Sequence, residues 1–590
     1  MNRLGLVLAT SASSVLASSF LAACGGDEAV VSPVSITLWS NVPEEPFPVA
    51  DSDDPEEVNV YAYRGNSPVG SATTDFRDGE LRLPTIPFGA DNLLAVVLTG
   101  DTDAGNNRTI ASGGTTVRFS ALEGEVIPDL NILTLPPEAF TPAFYVGFDD
   151  GDPISEPSVF ELGGEGGRAG FTLSTLPDGR LLIAGGATIT VAAGVVTLSD
   201  FIDSMEIYDP NLGTWFTVTE PGCIEDADTI EECAVRFPSG RAFHTASVMS
   251  DGSVVFVGGI EDADDDNYPA LGEAWQLVFE TPYEGEWIEL DWESSVGERA
   301  FHTATFIEPD RFIIAGGVGR NYNFPQFHTE VDQIFVDGGD VLLEDAGIAL
   351  ESARALHSAE FFATQVDGGP HGIILAGGRG DGDTVLGSTE LIYVFDGELD
   401  ILEGRPLDQP RFGAATTSYT SPSDTDGDGV PHEYWAVAGG YTAVSATAGL
   451  LNGASPTGRI ENYVVRNLEF FDDGGDQTVT PARAFASVVH FPLSGDLMLA
   501  GGIGADGSVL ASGTWVIQQN DGDDGWVEDS TWFSNVSLSG VSFTMSSPRA
   551  FAQAVRLPSM FGLFVGGTNG TATQTTSDFF NNNDFSLPFQ

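Results

Sequence analysis

Seven times in this chain an apolar run closes on a pair of glycines. The pairs are Gly185 and Gly186 after LLIA, Gly258 and Gly259 after VVFV, Gly316 and Gly317 after FIIA, and Gly377 and Gly378 after IILA. The last three are Gly439 and Gly440 after WAVA, Gly501 and Gly502 after LMLA, and Gly566 and Gly567 after GLFV. Successive steps are 73, 58, 61, 62, 62 and 65 residues. Ahead of every pair stands an arginine motif: Arg168-Ala-Gly-Phe, Arg241-Ala-Phe-His, Arg299-Ala-Phe-His, Arg354-Ala-Leu-His, Arg411-Phe-Gly-Ala, Arg483-Ala-Phe-Ala and Arg549-Ala-Phe-Ala. A unit of this size cannot bury its apolar face alone, so a repeat at this spacing requires neighbours stacked on one another.

Each unit reads as short strands. With 71 Gly and 33 Pro and no long helical periodicity, the class is all-β. An apolar run ends at each glycine pair, and aromatics such as Tyr208 and Trp215 follow it. Together these motifs resemble the kelch family, from about residue 140 to the end. The resemblance implies a seven-bladed β-propeller over 140–590, four antiparallel strands to a blade. It also implies a closing strand from elsewhere in the chain, for which Val159 to Leu162 is the expectation. Residues 441–460 insert into the fifth repeat and are expected on a face that carries binding surface.

Residues 34–136 differ. Val58-Asn-Val-Tyr61, Leu93 to Leu98 and Val117-Arg-Phe119 lie between Gly, Asp and Pro turns, the pattern of a small β-sandwich similar to Ig-like or carboxypeptidase-regulatory-like modules. Leu135-Pro136-Pro137 reads as its boundary.

The chain opens Met1-Asn2-Arg3 and then runs apolar and small to Ala23, a secretory h-region whose flanks are wrong for a permanent span. Leu21-Ala22-Ala23-Cys24 resembles the bacterial lipobox. That resemblance implies removal of residues 1–23, acylation of Cys24 and a tether over 24–33. Membrane anchoring in the cell envelope follows, with Gly25 suiting the outer membrane of a Gram-negative cell.

Asp and Glu number 87 against 22 basic residues, all arginine, for a net charge of −65. A field of that sign repels phosphate backbones, excludes nucleic acid as partner and favours cations. Cys223 and Cys233 share one acidic loop; in an exported protein they are expected to form a disulfide, with a zinc pair as the alternative. His244, His302 and His357 occupy the same place in three repeats and are read as structural hydrogen-bonding groups. Copper-radical oxidases similar to galactose oxidase share the kelch-type propeller, but both body cysteines sit in one loop and suggest no Tyr–Cys partner. No Gly-x-Ser-x-Gly elbow is present. Asp424, Asp426, Asp428 and Glu433 alternate on a glycine-bearing loop and are the candidate calcium ligands, against the plain reading of a solvated acidic hairpin. The expected function is a non-enzymatic module binding a protein or polysaccharide of the cell surface. An extracellular carbohydrate-active enzyme with its site in the central funnel is the alternative.

Overall fold

The computed structural model describes most of residues 167–581 and, ahead of them, a series of strands between Val15 and Pro153. Residues 1–14, 22–31, 41–56, 154–166, 421–432, 528–543 and 582–590, with shorter stretches between, lie outside the described residues. The described residues are all-β and propeller-like. Helix is confined among them to two 3-10 turns, Ile230–Cys233 and Asp381–Asp383.

Each repeat makes one sheet whose four main strands are antiparallel and pair in the same order, with a short extra strand added to the third, where Trp292–Glu293 is parallel to Asp340–Ala349, and to the fifth. In the first, Thr172–Thr175, Leu181–Ala184, Met205–Asp209 and Thr214–Thr217 follow one another outward. Six more sheets begin at Thr245–Val248, Thr303–Glu308, Ser358–Ala363, Ala415–Thr420, Ser487–Phe491 and Gln553–Arg556. The outermost strand of the last sheet is Ala139–Pro142, antiparallel to Ser577–Asn581. The closing strand therefore lies upstream of the expected one; Val159 to Leu162 is outside the described residues. Phe140 explains the choice, since its ring packs against Phe580 at 5.0 Å and Phe564 at 5.4 Å.

The signature arginines are fully buried, each 0–1% exposed. Each donates from Nη1 to the carbonyl of the first glycine of its own pair, as Arg299 does to Gly316 at 2.9 Å and Arg549 to Gly566 at 2.8 Å. In six sheets Nη2 also meets a carboxylate of the third strand or its approach: Glu206, Glu273, Asp332, Glu390, Glu461 and Asp578. In the sixth sheet Arg483 meets the Thr514 hydroxyl at 3.0 Å instead. The arginine carbonyl points the other way and accepts from the second glycine of the preceding sheet. Gly186 donates to Arg241, Gly259 to Arg299, Gly317 to Arg354, Gly378 to Arg411, Gly440 to Arg483 and Gly502 to Arg549. Gly567 donates back to Arg168 at 2.9 Å, so the series is cyclic. Glycine is required there because both members of every pair hold positive φ, and a Cβ on Gly258 would stand 2.0 Å from the Arg299 carbonyl oxygen.

A second cycle runs two residues beyond each arginine. Phe243 N–H donates to Gly170, Phe301 to Phe243, Leu356 to Phe301, Gly413 to Leu356, Phe485 to Gly413, Phe551 to Phe485, and Gly170 back to Phe551, at 2.8–3.4 Å. All seven residues are left-handed. For the five that are not glycine this costs roughly 1–2 kcal/mol each, offset by packing of their side chains around the axis. Phe243 stacks on Phe301 and Phe485 lies against Phe551, each pair at 4.5 Å.

One face is sealed. The hairpins Ala187–Ala192 with Val195–Phe201 and Tyr441–Val444 with Gly453–Pro456 fold over the axis with Tyr268 and Tyr322 into one apolar cluster. Asn452 Oδ1 accepts from Val196 N–H at 2.8 Å, and Arg379 donates to the Gly449 and Leu450 carbonyls at 3.1 and 2.6 Å. The insertion expected to carry binding surface thus has Leu450, Leu451 and Asn452 buried in a lid. Its Leu450 and Leu451 join the apolar cluster over the hub.

The N-terminal strands join in one path rather than two separate sheets: Val15–Leu21, Ser32–Ser40, Leu130–Leu135, Asn107–Thr115, Gly89–Asp101, Glu57–Arg64, Ser67–Asp75. Val15–Leu21 falls within the expected leader and is an edge strand, so the other pairings do not depend on it. Tyr63, Leu93 and Leu135 pack with Leu181, Leu563 and Phe579 of the first and last repeat sheets. Asn581 locks the joint by donating to the Ser112 and Leu135 carbonyls at 3.2 and 2.9 Å.

Arg299 and Asp332 are both wholly buried, so removing one charge strands the other. We expect Asp332→Asn to lower unfolding free energy by about 3–5 kcal/mol in urea titration, with the exposed pair variant Asp178→Asn changing it by under about 1 kcal/mol.

Candidate functional site

The face opposite the lid is open. Each inner strand pairs on one side only, so seven strand edges turn unpaired backbone N–H and C=O groups toward the axis. They surround a cavity of about 410 Å³ floored by Phe243, Phe301, Leu356, Phe485 and Phe551. Gly170 and Gly413 complete the floor because a Cβ at either would stand 2.8 or 2.5 Å from the ring of Phe243 or Phe485. The wall is lopsided. His244, His302 and His357 stand on one arc and Ala414, Ala486 and Ala552 at the equivalent places on the other, with Phe171 between. Among the described residues no Asp, Glu, Lys or Arg lines it.

The three histidines act as clasps between adjacent sheets. Each Nε2 meets a threonine hydroxyl of the preceding inner strand: His244 with Thr172 at 3.2 Å, His302 with Thr245 and His357 with Thr303 at 2.9 Å. Burial, with Arg241 or Arg354 alongside, pushes His244 and His357 down to about 3; His302 is pushed well down for the same reasons. They are neutral at any physiological pH. On the Ala arc the seam between the fourth and fifth sheets carries Glu360, whose carboxylate accepts from the Ser418 hydroxyl at 3.2 Å. Burial pushes Glu360 up to about 7. No local pattern marks this acid in the sequence; it is legible only as the sixth residue after the arginine, where the other repeats place Ser, Thr or Val.

Cys223 and Cys233 form a disulfide. Cys24 lies outside the described residues, as do Asp424, Asp426 and Asp428, while Glu433 opens the strand Glu433–Ala438. Among the described residues no group of three or more His, Cys, Asp or Glu is gathered to hold a metal. The glycine pairs ring the axis and belong to the hub.

These features define an all-β, propeller-like fold with one sealed face and one open funnel. No protein-family model and no curated protein matches the chain. Among solved structures it is similar to YjhT, at 13% identity over 57% of this chain and 94% of that one, with a TM-score of 0.36. It is also similar to a fungal alcohol oxidase of the AA5 family in complex with copper, at 12% identity over 84% and 90%, with a TM-score of 0.38. At these scores neither likeness bears on what this chain binds.

Unfolded histidine takes its proton near 6.5 and folded His244 and His357 only near 3, so the unfolded state binds more protons between those values. Stability is complete above about pH 7 and falls below it, by roughly 2 kcal/mol at pH 5 for each of His244 and His357, with His302 acting in the same direction. Glu360 acts oppositely, losing stability as pH rises from about 4.5 through its folded value of about 7. We expect urea midpoints to drop from pH 7 to pH 5, His357→Gln to flatten that slope, and Glu360→Gln to raise the midpoint at pH 8.

Proposed function

We propose that this chain is a lipid-anchored cell-envelope protein whose seven-bladed kelch-type propeller is a non-enzymatic binding module for a protein or polysaccharide of the cell surface. Cys24 is the acylated residue, the N-terminal β-module is the spacer, and the outer membrane of a Gram-negative cell is the location. The observation that carries this reading is the polarity of the disc: hairpins seal one face, while the other offers a rigid, uncharged funnel. Rigid concave sites with few placed polar groups suit recognition without large ordering cost. Acid–base hydrolysis of a glycoside needs two carboxyls flanking the bond. Glu360 favours the enzymatic alternative by its raised proton affinity, but it faces a serine and no second acid is paired with it. Calcium on Asp424, Asp426, Asp428 and Glu433 belongs to the same proposal as a stiffener of the fifth blade's inner hairpin.

Two measurements test this. Cys24→Ala should move the protein from the membrane to the soluble fraction of the envelope and abolish incorporation of labelled palmitate. A photo-cross-linker at Gln553, on the funnel wall, should capture a reproducible partner on intact cells, whereas one at the exposed Phe324 on the hairpin Val318–Phe327 should not. Capture from Phe324 alone would contradict the assignment of faces.

A further inference from the structure

The N-terminal sheet ends on a strand that maturation would remove. Val15–Leu21 pairs antiparallel with Ser32–Ser40, from Val15 opposite Leu38 to Leu21 opposite Ser32. On its other side Ser32–Ser40 pairs parallel with Leu130–Leu135, but only from Ile36 opposite Leu130 to Ser40 opposite Thr134. Loss of residues 1–23 therefore takes different things from the two halves of this strand. Among the described residues Ser32 to Ser35 lose their one ladder partner and Ile36 to Leu38 lose one of two, while Trp39 and Ser40 stay on Leu133 and Thr134. The sheet is left with an edge whose first half is unsupported and whose second half is anchored.

An edge of this kind is a template for another strand, and the usual guards against pairing are missing from it. From Ser32 to Ser40 there is no charged residue, in a chain that is 18% charged, and Pro33 stands only at the start. The opposite edge of the same sheet, Ser67–Asp75, is guarded. It carries Pro68, ends on Asp75, and bulges at Val69 between the pairs Ala62–Gly70 and Tyr63–Pro68. The leader shows the sense in which the free edge is filled, which is antiparallel. A second copy of the same strand supplies what each half lacks. Centred on Ile36, the midpoint of the nine-residue strand, two copies set Ser32 to Ser35 of each opposite Ser40 to Thr37 of the other. The unsupported half of one chain then lies on the anchored half of its partner. Because the strand is uncharged, two chains of net charge −65 meet here with no like charges in register. The tether adds position. Ser32 follows Cys24 by eight residues, at most about 28 Å of chain, so copies held in one membrane present this edge in the same layer.

We propose that the mature chain is a twofold dimer in which Ser32–Ser40 pairs antiparallel with itself about Ile36, joining two N-terminal sheets, and that residues 1–23 cap this edge until they are removed. This rests on the reading of Cys24 as the first residue of the mature chain and adds a partner, a second copy of the same chain.

Two proteins test it, both carrying Cys24→Ala so that neither an acyl chain nor a free thiol intervenes: residues 24–590, and residues 1–590 with the leader kept. Sedimentation equilibrium is run at about 0.5 M salt, where repulsion between the acidic chains is screened within a few ångströms. We expect 24–590 to sediment as a dimer and 1–590 to associate at least tenfold more weakly. Ser35→Lys combined with Thr37→Lys sets lysine opposite lysine and should weaken the dimer of 24–590 at least tenfold with an unchanged melting temperature. Ile36→Cys reports the register. Self-opposed Cα atoms stand about 4.5–5.5 Å apart, within reach of a disulfide, so mild oxidation should link two chains. Ser40→Cys, whose two copies stand roughly 27 Å apart, should link at least tenfold more slowly. Should the lysine variant lose its fold, the two cysteine variants decide alone. A monomeric 24–590, or equal linking of both cysteine variants, overturns the proposal. The mass of the protein recovered from cells tests the Cys24 reading separately: retention of residues 1–23 would overturn that reading, while the pairing of 24–590 would still stand or fall on its own measurement.

Discussion

The rest of this structure depends on a buried guanidinium that ties three strands and two sheets together. Each signature arginine uses Nη1 on its own glycine carbonyl and Nη2 on the third strand, while its backbone carbonyl is held by the neighbouring sheet. Burying a charge costs several kcal/mol unless it is paired and its hydrogens are used. Here six of the seven guanidiniums meet a carboxylate, and Arg483 is held by the Gly501 and Ser512 carbonyls and the Thr514 hydroxyl. Because each carbonyl is claimed by the preceding sheet, the arrangement is satisfied only when the last sheet meets the first.

That closure explains the features around the axis. Two concentric hydrogen-bond cycles pull the backbone so tight that seven residues adopt left-handed conformations, and the side chains of five fill the hub. One end is covered by hairpins and the other becomes a blind funnel, walled by strand edges that the cycles hold in place. The N-terminal module sits against the first and last sheets and contributes the strand that completes the final one, so it reinforces the seam where the chain begins and ends.

Much of this was legible in the sequence because the hub is built from repeated, chemically distinctive residues. Arginine and paired glycine stand out against apolar runs. The acids that answer the arginines were also present, as Glu206-Ile-Tyr, Glu461-Asn-Tyr and Asp578-Phe-Phe, but their distance from the arginine varies with loop length and so hides the pattern. Gly170 and Gly413, standing where other repeats carry Phe or Leu, were the one hint of a left-handed position. The closing strand was misplaced because nothing in the sequence around Phe140 marks its packing against Phe564 and Phe580. The insertion at 441–460 was legible as lying on a face, but not that Leu450 and Leu451 pack over the hub, since a chain alone does not reveal what lies beneath. The funnel's character was least legible. It arises from the difference between His and Ala at equivalent places, and that difference acquires meaning only once the seven places converge.

Native-state hydrogen exchange tests the central claim most directly. If the sheets form one closed ring, the amides of Gly567 and Gly170, which bridge the last sheet to the first, exchange only through global unfolding, with the same protection as Gly259 and Phe301 in the middle of the series. Exchange at Gly567 and Gly170 that is faster by orders of magnitude, through a separate local opening, would mean that the seam is not part of the ring and would contradict the account.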